Sequence, residues 1–251
     1  MLEGKVIIVA GGGGIGDALA RRYARDGACV VLGDLDADRA GRIAAAIDAS
    51  EGRVVGTGLD GSDDASVEAI VALTKAKFGK LTGFHANFAT FVDGQSLDGV
   101  DLPLEVYDEA MRVNARGFFL CSRHAIPAMV TGGGGSLVYT SSIESYTGSP
   151  IRFAYAMSKA AVHALMRNVA TRYGPDGIRA NVIAPGLIMH PSLSAKLPEE
   201  AKASARARAA IKSRFGLPED IAAMGSFLLS DDAAYVTGQV IAVDGGITMR
   251  P

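Results

Sequence analysis

The chain has 251 residues, 49% hydrophobic and 21% charged, a length that suits one large core and does not require two domains. Its formal net charge of −2 gives no general attraction to nucleic acid or anionic lipid, and no apolar stretch approaches the ~20 residues of a membrane span, so we expect neither partner. Two cysteines, Cys29 and Cys121, match neither a disulfide framework nor a zinc spacing, and the N-terminus does not resemble a signal peptide, which favours a cytoplasmic protein without a metal.

Short apolar runs alternate along the chain with stretches of helical periodicity, which predicts strands and helices in turn. The predicted strands are 5–10, 28–33, 53–57, 82–87, 136–140, 178–184 and 239–243. The predicted helices are 15–26, 36–50, 63–78, 104–130, 153–173 and 219–229. Such alternation needs crossover connections. We therefore predict a single α/β domain over 1–251, with a doubly wound, mostly parallel seven-stranded sheet and helices on both faces.

A glycine-rich loop follows the first predicted strand. Residues 11–16 (GGGGIG) satisfy the pattern G-x-G-x-x-G, and they lie between a buried strand and a helix N-terminus. In that position the backbone can approach a pyrophosphate closely while the helix N–H groups face it. The sequence therefore predicts a dinucleotide site of the Rossmann type that uses Gly11, Gly13, Gly14, Ile15 and Gly16. A second glycine run, 132–135, precedes a strand and is interpreted as a turn.

Asp34 ends the second predicted strand, eighteen residues after Gly16. An acidic side chain there can accept hydrogen bonds from the adenosine ribose. A 2′-phosphate at the same place would meet a like charge, which favours NAD over NADP. The alternative is a solvated carboxylate at a strand end.

Tyr155 and Lys159 are four residues apart in a predicted helix, so their side chains share one helical face. Lowering the pKa of a tyrosine from ~10 to ~7 requires roughly 4 kcal/mol of phenolate stabilisation, and a nearby cation can supply part of it. The spacing alone is weak, because such pairs also arise by chance on exposed helices. Ser142 lies thirteen residues before Tyr155 at a predicted strand end, and that position favours a functional pair.

Together these motifs resemble the short-chain dehydrogenase/reductase family over essentially the whole chain. The resemblance implies a catalytic set of Asn114, Ser142, Tyr155 and Lys159. It also implies further cofactor-binding residues, which are Asp60, Gly61, Asn87, Tyr155, Lys159, Pro185, Gly186 and Ile188. The chain departs from the family pattern in a glycine loop one residue shorter, in Phe88 after Asn87, and in His190 where a threonine is usual.

The resemblance implies hydride transfer between NAD(H) and a secondary alcohol or ketone. Ser142 would orient the substrate oxygen, and Tyr155 would act as the proton-transfer group. Lys159 would lower the Tyr155 pKa and bind the nicotinamide ribose, while Asn114 would hold a water that links Lys159 to solvent. A homo-oligomer, tetramer or dimer, is also implied. The alternative from another class is a non-catalytic NAD-binding sensor or scaffold.

Several residues near the site have two interpretations. His190 could reach the carboxamide or the substrate, or it could lie at the surface. Arg152 and Lys196 could give an anionic substrate a counter-charge, or they could be solvated surface charges. The segment 189–215 is predicted to be a lid over the substrate, with a plain surface helix as the alternative.

Overall fold

The computed structural model of the protein describes residues 1–50, 52–90, 94, 96–195 and 197–249. Among these residues, seven strands form one sheet in the order β3-β2-β1-β4-β5-β6-β7, and every neighbouring pair is parallel. The strands are β1 (Val6–Ala10), β2 (Cys29–Asp34), β3 (Val54–Gly58), β4 (Gly83–Ala86), β5 (Gly135–Thr140), β6 (Ile178–Pro185) and β7 (Val240–Val243). The predicted doubly wound parallel sheet is confirmed.

Helices cover both faces of the sheet. They are α1 (Gly13–Arg25), α2 (Ala37–Ile47), α3 (Asp64–Phe78), α4 (Leu104–Ala110), α5 (Gly117–Thr131), α6 (Phe153–Tyr173), α7 (Pro191–Ser194), α8 (Glu199–Arg208) and α9 (Pro218–Leu229). Two of them begin at aspartates whose side chains accept a backbone N–H of the first turn: Asp36 from Arg39, and Asp63 from Ser66.

The central strand shows why both faces need cover. Ile7 and Val9 belong to one hydrophobic core, together with α1, α2 and α9, whereas Ile8 and Ala10 belong to the other, with α3, α5 and α6. Successive side chains of a strand point to opposite faces, so a continuous apolar run is stable only between two layers of helix.

The predicted helix 104–130 is interrupted in the structure. A π-helical turn, Met111–Arg116, joins α4 to α5, and Asn114 lies within it, fully buried. Single π turns frequently mark functional sites, because they displace one side chain from the α-helical register. The hydrophobic periodicity continues through the turn, which explains why the sequence predicts an unbroken helix.

The sheet order places the carboxyl ends of β1 and β4 side by side at its centre. The chain leaves β1 toward β2 on one side and returns to β4 on the other. Ligands of open parallel sheets bind in the crevice that such a reversal creates.

Candidate active site

A cavity of about 950 Å³ opens at the carboxyl edge of the sheet, where the loops after β1 to β6 meet. It brings together nearly all of the predicted site residues. Those that line it are Gly11, Gly13, Gly14, Ile15, Asp34, Asp60, Gly61, Asn87, Ser142, Tyr155, Lys159, Pro185, Gly186 and Ile188. Gly16 and Asn114 are buried behind its wall.

The shortened glycine loop forms a tight turn into α1. Gly11 and Gly13 have φ of 97° and 83°, values that favour glycine, and α1 begins at Gly13, two residues before the predicted start. A Cβ on Gly16 would lie 2.0 Å from the Gly11 carbonyl oxygen, so this approach requires glycine. Three of the first four residues of α1 are glycines, so its first turn borders the cavity largely with backbone. A dinucleotide pyrophosphate fits this cradle.

Asp34 is held in place at the end of β2. Its carboxylate accepts the Gly12 N–H at 2.9 Å and forms an ion pair with Arg39 at 3.2 Å. Arg39 also pairs with Asp17 at 2.5 Å, so two carboxylates surround one guanidinium and the cluster keeps a net negative charge. The sequence prediction missed Arg39, although its position in the first turn of the following helix was a usable signal.

Asp60 and Phe88 form the next part of the wall. Asp60 accepts hydrogen bonds from the backbone and hydroxyl of Ser62, and the hydroxyl bond is the largest influence that lowers the pKa of the Asp60 carboxyl. The ring of Phe88 packs edge-on against Phe118, with 4.8 Å between centroids. It occupies the space that a Cβ would take on Gly61 or Gly117. The ring of Phe88 therefore fits in the structure because Gly61 and Gly117 have no side chains.

A buried chain of hydrogen bonds supports the glycine loop from behind. Asn87 donates to the Gly11 carbonyl at 3.2 Å and accepts from the Thr140 hydroxyl at 2.9 Å. His85 contacts Thr140 at 2.9 Å through Nε2 and the Tyr23 hydroxyl at 2.6 Å through Nδ1. Because Thr140 donates its proton to Asn87, it must accept from Nε2–H, which leaves Nδ1 to accept from Tyr23. Burial lowers the His85 pKa to about 3, consistent with this neutral tautomer.

Ser142 and Tyr155 meet at the end of β5. Ser142 accepts the Glu144 N–H at 3.2 Å, and Ser142 and Arg152 both hydrogen-bond the Tyr155 side chain. Burial raises the pKa of the Tyr155 phenol, and the opposing influence comes first from Arg152. The expected acidic tyrosine next to Lys159 is therefore wrong for this structure: desolvation dominates, and Arg152 is the cation that most lowers the pKa.

Lys159 lies deeper than Tyr155. Its Nζ donates to the Thr140 carbonyl at 3.0 Å and lies 4.5 Å from the centroid of the Phe118 ring, but 5.9 Å from that of Tyr155. Burial lowers the Lys159 pKa to about 7. The nitrogen therefore titrates near neutral pH.

Asn114 makes structural contacts through both ends of its amide. The side-chain oxygen accepts the Thr90 N–H at 2.9 Å, and the nitrogen donates to Ser158 at 3.2 Å. Asn114 thus ties the loop after β4 to α6. Its role in holding a water next to Lys159 stays a prediction.

The loop after β6 folds back over the glycine loop. The imidazole of His190 packs against Gly14, where a Cβ would meet its ring at 2.7 Å, so His190 lies inside the cavity wall, beside the glycine loop. Within 189–215, helices α7 and α8 border the cavity through Leu193, Ala205 and Arg208. Lys196 lies outside the described residues.

Known proteins resemble this chain over nearly its whole length. A family model described as enoyl-(acyl carrier protein) reductase matches residues 9–248. A probable short-chain type dehydrogenase/reductase of Bradyrhizobium diazoefficiens is 41% identical over 98% of this chain and 88% of its own length. The chain belongs to the short-chain dehydrogenase/reductase family.

Other members of the short-chain dehydrogenase/reductase family show the same extent of similarity. The 2-(S)-hydroxypropyl-CoM dehydrogenase 3 of Xanthobacter autotrophicus is 36% identical, with 98% of each chain covered. A 7α-hydroxysteroid dehydrogenase, solved in complex with NADH and 7-oxo glycochenodeoxycholic acid, superposes with a TM-score of 0.91 at 32% identity. That superposition covers 98% of this chain and 94% of the other.

The described residues contain neither a metal-binding cluster nor a membrane-spanning helix. No group of three or more His, Cys, Asp or Glu side chains in this part of the chain could hold a metal ion. No helix among the same residues is long and apolar enough to cross a membrane.

Proposed function

We propose that this short-chain dehydrogenase/reductase is an NAD-dependent secondary-alcohol dehydrogenase, or a carbonyl reductase in the reverse direction, with Tyr155 as the proton-transfer group. The observation that carries the proposal is the meeting of Ser142, Tyr155 and Lys159 in the same cavity as the glycine loop and Asp34. A non-catalytic sensor would not need these three side chains beside the cofactor site. The proposal places the enzyme in the cytoplasm, in keeping with two free cysteines.

The residues present fit a nicotinamide dinucleotide. The backbone from Gly11 to Gly16 would hold the pyrophosphate, and Asp34 the adenosine ribose. Asp60 and Gly61 would border the adenine, while Pro185, Gly186 and Ile188 would border the nicotinamide. When bound, the cofactor supplies the hydride acceptor or donor.

The side chains of this protein would orient the substrate and move its proton. Ser142 would donate a hydrogen bond to the substrate oxygen and hold it next to the phenol. Tyr155 would protonate that oxygen during reduction and accept its proton during oxidation. Because burial raises the Tyr155 pKa, the phenol is protonated at neutral pH, which suits reduction, and alcohol oxidation should accelerate as the pH rises.

The first test is a turnover assay. Purified protein is mixed with NAD and a panel of secondary alcohols, or with NADH and the matching ketones, and NADH absorbance is followed. Tyr155→Phe should lower kcat at least ~100-fold, because a positioned acid/base contributes that much or more. Tyr173→Phe, at the far end of the same helix, is the matched control and should keep full activity. Calorimetry should show that Tyr155→Phe still binds NADH, because the glycine loop and Asp34 are unchanged. NADH binding by the wild type without turnover on either panel would instead favour the sensor.

The second test concerns the choice of NAD over NADP. In Asp34→Ala, a 2′-phosphate no longer meets the carboxylate, and Arg39 becomes available to it, so the ratio of kcat/KM for NAD to that for NADP should fall at least tenfold. Asp34→Ala/Arg39→Ala should lose the gain with NADP. Asp38→Ala is the control, because Asp38 is an exposed acid next to Arg39 in the first turn of α2 and should leave the ratio unchanged. An unchanged ratio in Asp34→Ala would show that Asp34 is not the selector.

A further inference from the structure

Arg152 has an uncommon backbone conformation directly before α6. Among the described residues other than glycine, it alone has a positive φ, 66°. Such a conformation persists only where the surroundings hold it, and it recurs at functional sites. Arg152 also lines the candidate active-site cavity, three residues before Tyr155.

Two contacts fix the direction of the Arg152 side chain. Its Nη1 donates to Oε1 of Glu144 at 2.7 Å, and its guanidinium carbon lies 4.3 Å from the centroid of the Tyr155 ring. Glu144 in turn is joined through its backbone N–H to Ser142. A cation, an anion and the phenol thus form one compact group at the reacting end of the cavity.

Arg152 is closer to the phenol ring than Lys159 is. The Lys159 nitrogen lies 5.9 Å from the ring centroid and donates to main-chain carbonyls. Its pKa of about 7 means that it carries a full charge only below neutral pH. An arginine remains protonated across this range.

We propose that Arg152 is a positioning residue that stabilises the phenolate of Tyr155, and that Glu144 holds Arg152 in place while partly cancelling its charge. The catalytic role of Arg152 rests on the proposed function. Its effect on the ionisation of Tyr155 does not depend on that function. Glu144 has the opposite sign, so the two partners should shift the phenol in opposite directions.

Other charged groups near the phenol are accounted for. Lys159 of α6 lies 5.9 Å from the ring centroid, and Glu144 lies in the turn after β5. Burial raises the pKa of the Glu144 carboxyl, and Arg152 and then Arg208 of α8 oppose that rise. His190 borders the same cavity from the loop after β6, against the glycine loop. None of these is altered in the Arg152 variants.

The test measures ionisation of Tyr155 without turnover. The chain has 7 tyrosines, and its protein can be labelled with [13Cζ]tyrosine. The Tyr155 resonance is assigned by its absence in Tyr155→Phe. The ratio of phenolate to phenol is then compared among variants at one alkaline pH where each is folded.

Arg152→Gln should lower this ratio about tenfold or more, and Glu144→Gln should raise it, since a charge at this separation shifts a pKa by roughly one unit or more. Arg152→Lys should restore part of the loss. Arg152→Gly, which suits the positive φ, gives the same measurement should Arg152→Gln not fold. Arg172→Gln is the matched control, because Arg172 lies on the same helix over the ring of Tyr173 and should leave Tyr155 unchanged.

The outcomes separate the two proposals. A shift in the same direction for Arg152→Gln and Glu144→Gln, or no shift, overturns the role of Arg152. If the ratio of phenolate to phenol falls in Arg152→Gln and rises in Glu144→Gln, the role of Arg152 is upheld. If the same protein shows no turnover, the proposed activity is refuted. In an active enzyme, the pH midpoint of kcat/KM for alcohol oxidation should move with the resonance.

Discussion

Lys159 combines nearly complete burial with a titratable nitrogen. Its side chain is 1% exposed, and its nitrogen contacts two main-chain carbonyls and no carboxylate among the described residues. Carbonyl dipoles offset only part of the cost of removing a charge from water, so burial favours the neutral amine of Lys159 over the ammonium. This lysine therefore costs the fold stability, which is typical of residues kept for function.

This loss of stability predicts that Lys159→Met stabilises the folded protein, and that the stabilisation depends on pH. The Lys159 pKa is about 7 in the folded protein and ~10.4 in an unfolded chain, so between these values the unfolded state binds the extra proton. The penalty is fully present below pH 7 and disappears as the pH rises through 10. Lys159→Met should therefore raise the melting temperature by several degrees at pH 6.5 and much less at pH 10. Lys77→Met, on the exposed end of α3, is the control. Equal gains at both pH values would contradict the buried-charge account.

At the scale of elements, glycines determine how closely helices approach the sheet. A Cβ on Gly56 of β3 would lie 2.1 Å from the Ala40 carbonyl oxygen of α2, a backbone atom that cannot rotate away. Gly41, one residue further along the same helix, has nothing within 4 Å of its Cβ position. A change from glycine to alanine should therefore affect stability in opposite directions at Gly56 and at Gly41, although both lie at the contact between β3 and α2.

Gly56→Ala should lower the free energy of unfolding by at least ~1–3 kcal/mol, because α2 must move away from β3. Gly41→Ala should raise it by up to ~1 kcal/mol, because alanine has the higher helix propensity. Urea unfolding followed by circular dichroism measures both. Equal midpoints for Gly56→Ala and wild type would show that α2 is not packed as described.

At the scale of the whole molecule, the cavity depends on the order of the strands. Its walls come from loops that are far apart in sequence, and they meet only because all strands run parallel and present their carboxyl ends at one edge. Asp34 and the glycine loop lie on one side of the central reversal, and Ser142 and Tyr155 on the other.

The assembly of the molecule is open to a direct measurement. Large apolar side chains are exposed on α5 and α6, among them Phe119 and Met157, each 50% exposed. Exposed apolar side chains of this size favour association, and we predict a homo-oligomer. Light scattering should give two or four times the monomer mass of 25.9 kDa. A mass of 25.9 kDa at micromolar concentration would contradict the prediction.

Local pattern alone determined much of this protein. The apolar runs and helical periods predicted the seven strands and most helices, because they reflect burial on one or two faces. The glycine loop, Asp34, Ser142 and the pair Tyr155 and Lys159 were found from sequence, because each motif depends on residue type at a short spacing. The same local signals also led to a continuous helix across the π turn at Asn114.

Only the tertiary structure decided the electrostatics and the packing within the site. Arg39 beside Asp34, Arg152 over Tyr155, and the glycines that accommodate Phe88 all involve approaches that no short spacing determines. The pKa of Tyr155 is the clearest case: the sequence places a lysine nearby and predicts an acidic phenol. Burial depends on every element packed around the ring, and it outweighs that charge in the folded protein.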